Sequence, residues 1–208
     1  MTKKIKSRCI ISSAAFAVKK SLITQYDPLI QKPPVIGDLV FGEVSTLGHH
    51  SIIESKSSRK HTLNVGTRAI FVFGNRYAPD QFEGIVPKLS QEFVDLFSQG
   101  GVIGNVKTQS QLIGVPTKIK VLGYVCDNRG NVINTTKHKL INPNNDKKNK
   151  GRAKLILCVG TSMNSGKTHA AAACCYAISS MGKSSRAAKI TGTASLKDIL
   201  LIDRKSVV

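Results

Sequence analysis

The sequence predicts an α/β chain in two parts: a β-rich N-terminal domain, either a small barrel or a sandwich, and the beginning of a second domain built on a parallel sheet. Three observations predict it. Short runs rich in β-branched and aromatic residues fill positions 37–87 with no helical period between them. From Thr135 to Lys154 the composition turns basic and polar, with seven Lys or Arg, four Asn and one acid, Asp146. Beyond it an apolar run, a glycine-bearing loop and an alanine-rich stretch follow one another directly. The boundaries are then 1–134 for the β-rich domain, 135–153 for a basic linker, 154–202 for the start of the second domain, and 203–208 for a tail.

At the N-terminus Lys3, Lys4, Lys6 and Arg8 precede the apolar run Cys9–Val18, and Ala15-Phe16-Ala17 has the small-residue pattern of a signal cleavage site. Ser12 and Ser13 interrupt that run, which contains no Leu, so the favoured reading is a basic N-terminal strand or helix. Strands are expected at Asp38–Val44, Ser51–Glu54, His61–Val65 and Thr67–Phe73, separated by Gly48 and Gly66. Tight turns with no helix between strands point to a sandwich or barrel. The loop Gly74–Glu83 is dense in turn formers, and it is the best candidate for a site in this domain. Ser90–Ser98 reads as a helix, because Phe93, Leu96 and Phe97 would share a face and Gly100-Gly101 would stop it. A hairpin follows, Ile119–Cys126 and Asn131–Asn134 around the turn Asp127-Asn128-Arg129-Gly130.

The 208 residues suffice for a buried core, and 31 Lys plus Arg against 12 Asp plus Glu give a net charge of +19. No apolar run approaches the roughly 20 residues a membrane span needs. The five cysteines show no zinc-finger spacing and read as reduced thiols packed like small hydrophobes, which fits a cytoplasmic protein. The linker reads as solvated chain; the alternative is a basic strip for phosphate backbones.

Chemistry concentrates after the linker. Lys154–Val159 has the unbroken apolar character of a strand buried on both faces. Gly160-Thr161-Ser162-Met163-Asn164-Ser165-Gly166-Lys167-Thr168 comes next, then His169–Met181, a good helix former that stops at Gly182. Strand, glycine loop and helix in that order are the context of a P-loop. Polyphosphate needs inward-pointing amides at a helix N-terminus, supplied here by Asn164–Thr168. Gly166 lets the backbone approach the phosphates, Lys167 brings a cation to the β- and γ-phosphates, and Thr168 offers a hydroxyl to Mg²⁺. The usual spacing puts a glycine at 161; here Thr161 stands there and the glycine is Gly160.

Gly160-Thr161 ahead of Gly166-Lys167-Thr168 resembles the loop of the dethiobiotin synthetase family. The likeness continues: after the helix, Ser184–Ala188 matches a short strand, Lys189 falls where that family has a second phosphate-and-substrate lysine, and Thr191–Ser195 looks like its small polar substrate loop. The family follows that lysine with Pro, whereas this chain has Ile190. The stretches GTSMNSGKT and AAKITGTAS are similar also to uncharacterised predicted ATPases that carry a β-rich domain ahead of the loop. The resemblance implies ATP, or alternatively GTP, with Mg²⁺. It further implies ligase- or kinase-like chemistry on a small molecule, in which Lys167 and Lys189 take catalytic roles. A homodimer of the full-length protein stays open.

A βαβ unit takes roughly 30 residues or more, so the stretch Gly151–Val208 has room for only two strands and two helices. The expectation is therefore a domain that continues beyond this sequence, with the later Mg²⁺-holding acid among the missing residues; Asp198, in an expected helix Leu196–Leu201, is a poor substitute. Asp203-Arg204-Lys205-Ser206-Val207-Val208 is also what a common sequencing-adapter end encodes in frame, so the tail reads as non-native. Two other readings compete. A nucleic-acid-binding barrel would use the basic segments, but its only clustered aromatics are Phe71, Phe73 and Tyr77, and the first two alternate like core residues. A nucleotide-regulated interaction module is the second.

Overall fold

The β-branched runs of the first part form strands, and their pairing closes on itself. The computed structural model describes residues 2–6, 8–138, 154–161, 163–190 and 195–206. Two units divide the chain, Met1–Lys139 with Thr193–Ser195, and Leu140–Gly192 with Leu196–Val208. Of the expected linker 135–153, Thr135–Lys137 form a 3-10 turn capped by the Asn134 side chain, while residues 139–153, like 191–194 of the polar loop, lie outside the described residues.

The first unit contains β1 (Lys3–Lys4), β2 (Ile10–Ile11), β3 (Gln25–Asp27), β4 (Leu39–Thr46), β5 (Ile52–Glu54), β6 (Lys60–Thr62), β7 (Arg68–Phe73), β8 (Phe82–Ile85), β9 (Phe93–Leu96), β10 (Val102–Gln109) and β11 (Thr117–Cys126). β4 pairs antiparallel with β7, β7 parallel with β10, and β10 antiparallel with β9. β9 then pairs antiparallel with β11, and β11 with β4. Those five strands form a closed circuit, which leaves no open edge within it. β8 extends from β10, β1 and β3 extend from β11, and β2 lies parallel to β7. β5 and β6 form a separate hairpin.

The continuous apolar run of β7 follows from burial on both faces. Ala69, Phe71 and Phe73 join Val40, Val44, Val94, Leu96, Ile103, Ile119 and Tyr124 in one core cluster. Ile70 and Val72 face the opposite way, with Leu39, Phe41 and Val125, and are covered by Ala15, Val18 and Ile23. The apolar run Cys9–Val18 is thus a second layer over the outer sheet face, with Ala15 and Val18 fully buried. Buried Asp38 ties the far end of the unit to β4. It accepts from the Val35 amide and the Asn134 Nδ2, both at 2.9 Å, and pairs with Lys32. Gly130 (φ 81°) and the Asp127 carboxylate, which accepts from the Arg129 and Asn131 amides, shape the expected hairpin turn.

Three expectations are corrected. Ser90–Ser98 is not a helix: Phe93–Leu96 is β9, with Val94 and Leu96 pointing into the core at a period of two. It bonds to strands on both sides, and a helix could not supply those ladders. The second unit contains α1 (Lys167–Ser180) and α2 (Lys197–Ser206), in contact with each other, and no strand among the described residues. Among the described residues neither Lys154–Val159 nor Ser184–Ala188 joins a strand ladder, and Leu155, Leu157 and Val159 are 87%, 68% and 76% exposed. A parallel strand holds only when neighbours fill its ladder and helices cover its faces, and among the described residues it has neither. The α/β class with a parallel-sheet P-loop domain is therefore not what forms. Among the described residues strands predominate over the two α-helices, and they form a mixed sheet belonging to the first unit.

Candidate functional site

The loop that carries the chemistry leads into α1. Its amino terminus is capped by Gly166 in the left-handed region (φ 82°, ψ 0°), which has no side chain to bond the first-turn amides. Asn164, two residues earlier, is also left-handed (φ 64°). These turns reverse the chain sharply, and Asn is among the few non-glycine residues that tolerate them.

The reversal brings the two ends of the loop together. A Cβ at Gly160 would lie 2.2 Å from the Ser165 Oγ and 3.0 Å from the Lys167 Cγ. Any larger residue at 160 would push the Ser165 hydroxyl and the Lys167 stem aside, which gives the early glycine a physical reason. Lys167 folds back over the loop and donates from Nζ to the Ser165 Oγ at 2.9 Å. At Gly166 a Cβ would meet nothing within 4 Å, so the face above the helix terminus is open. Thr161, Asn164, Ser165 and Gly166 are exposed, while Lys167 and Thr168 are half-buried. Ser162 lies outside the described residues.

The helix behind the loop is terminated as expected. The Gly182 amide (φ 70°) donates to Ser179 and the Lys183 amide to Ile178, at 2.9 and 3.1 Å, which is a Schellman motif.

Lys189 is exposed, and its Nζ forms an ion pair with Asp198 in the first turn of α2. Gly160, Ser165 and Lys167 thus come together, and Lys189 engages Asp198. Sequence reasoning missed that pairing; the available signal was an acid nine residues on, at the start of a helix. Among the described residues no group of three or more His, Cys, Asp or Glu could hold a metal, and no helix is long and apolar enough to cross a membrane.

The Gly74–Glu83 loop is held by structural bonds. The Arg76 and Gly84 backbones bond reciprocally at 2.9 Å, Arg76 Nη2 donates to Gln81 Oε1 at 2.7 Å, and Phe82 is fully buried. Beneath it lies His50, 4% exposed, its Nε2 2.8 Å from the Phe97 carbonyl oxygen. Burial pushes its pKa down to about 4; the Phe97 carbonyl opposes this, and His49 and Arg76 add to it. His50 is therefore a neutral core residue at pH 7. Phe71 and Phe73 are core as well, 0% and 3% exposed, and offer no stacking surface.

No protein-family model, curated protein or solved structure matches the chain.

Proposed function

We propose that the loop Gly160–Thr168 binds the phosphates of a nucleoside triphosphate, ATP or GTP, together with Mg²⁺. The observation that carries this is the closure of the loop. Gly160 packs under the Lys167 stem, and Gly166 leaves open space over a helix terminus that favours anions. Lys167 would exchange its Ser165 contact for the β- and γ-phosphates, and amides of Asn164–Thr168 would line them. The Thr168 hydroxyl, one residue into α1, is suited to a hard cation that takes oxygen ligands. Bound there, Mg²⁺ would neutralise charge on the phosphates.

The likeness of the loop to ATP-dependent enzymes extends this reading to phosphoryl transfer or ligation on a small molecule. Lys189 would supply a second cation once released from Asp198. Free thiols at Cys126 and Cys175, both buried, suit a cytoplasmic protein. Calorimetric titration with Mg-ATP and Mg-GTP tests the binding. Lys167→Ala should weaken affinity at least a hundredfold, and Lys189→Ala should leave affinity intact while lowering turnover. Equal affinity in wild type and Lys167→Ala would refute the assignment.

A further inference from the structure

The first unit contains a concavity of its own. Its volume is about 500 Å³, within the range of small-molecule sites. Two short segments wall it. One supplies Lys4, Ile5, Lys6, Cys9 and Ile11, and the other is the 3-10 turn Lys20–Leu22 with the residues after it. The Ile5 amide donates to the Thr24 carbonyl oxygen at 2.8 Å and ties the two together. Its floor is apolar, made by Ile5, Ile11 and buried Ile23, and its rim carries Lys4, Lys6 and Lys20.

The charge on that rim is unbalanced. No acid lines the cavity, and no described side chain forms an ion pair with any of the three lysines. Lys4, Lys6 and Lys20 are exposed along that lining, so the charge they bring favours an anion there. A lysine-lined phosphate track for nucleic acid needs neither concavity nor isoleucine floor. Here the apolar stems and floor offer burial to a tail, while the ammonium heads stay at the water boundary. Cys9 lines the wall; burial pushes its thiol up to about 11, so it stays protonated and the site is built to bind rather than to react.

We infer that the cavity between Lys4–Ile11 and Lys20–Thr24 binds an anionic amphiphile, a carboxylate or phosphate head on a short apolar tail. The head sits among Lys4, Lys6 and Lys20, and the tail lies on Ile5, Ile11 and Ile23. This site is independent of the nucleotide loop.

The test uses the full chain with ¹³C-labelled isoleucine methyl groups, titrated with octanoate, octyl phosphate, octanol and single-stranded oligo-dT at one ionic strength. Either anion should shift the methyls of Ile5, Ile11 and Ile23 saturably, leaving those of Ile178 and Ile199 in place. Comparison of the two anions distinguishes a carboxylate from a phosphate head. Octanol should bind at least tenfold more weakly. The combined variant Lys4→Gln, Lys6→Gln, Lys20→Gln should lose at least tenfold for the anions and nothing for octanol. Equal binding of octanol and octanoate, an unaffected triple variant, or oligo-dT shifting the same methyls as strongly as the anions would each overturn the inference.

Discussion

Acidification from pH 7 should destabilise the first unit through His50. The imidazole is 4% exposed, hydrogen-bonded to the Phe97 carbonyl and packed edge-on to Phe82 with centroids 5.5 Å apart. Its pKa is about 4 in the folded protein against 6.5 for the free side chain. The unfolded chain therefore takes up a proton below pH 6.5 that the folded chain refuses until about pH 4. Stability is fully present above the unfolded value and is lost as pH falls through that window. At 1.36 kcal/mol per unit, the loss between pH 7 and pH 4.5 is about 2.5 kcal/mol. Urea unfolding followed by far-UV circular dichroism measures it as a midpoint drop of about 1 M. His50→Gln keeps a donor for the Phe97 carbonyl but does not titrate, so its midpoint should fall much less over the same range. Identical pH slopes in the two proteins would refute the reasoning.

Two substitutions probe close approaches. Gly160→Ala should lower nucleotide affinity at least tenfold while α1 keeps its helicity, because the added methyl would displace Ser165 or Lys167; calorimetry and circular dichroism on one sample check both. Gly84→Ala would put a Cβ 2.2 Å from the Cζ of fully buried Phe97 and should cost about 1–3 kcal/mol in urea unfolding.

What the sequence revealed depended on how local each signal was. β7 was readable because Ala69–Phe73 is apolar on both faces and rich in β-branched and aromatic side chains. β9 was not: over four residues, Phe-Val-Asp-Leu suits either period, and partners in β10 and β11 decide the outcome. The Asp127–Gly130 turn and the Gly182 stop were legible because their chemistry is complete within a few residues. Gly-Lys-Thr was legible as a pattern, but the role of Gly160 depends on how Ser165 and Lys167 fold back onto it. Lys154–Val159 misled for the opposite reason: a strand-like composition makes no strand without a ladder to join. The lysine-rimmed cavity had no sequence signal, since its basic residues resembled the start of an export signal and Lys20 joins them only in three dimensions.

Closure of the strand circuit also orders events during synthesis. Val44 pairs with Ile119, and Val72 lies beside Val102, so the ring cannot shut until β11 has left the ribosome. Residues 10–23, translated before β4 and β7, must wait for an outer sheet face that does not yet exist. Contacts this distant along the chain slow folding, and in the interval Ala15, Val18 and Ile23 form an unshielded apolar stretch flanked by lysines. Transiently exposed apolar surface of that kind is what chaperones protect, so this segment depends for its cover on strands made after it.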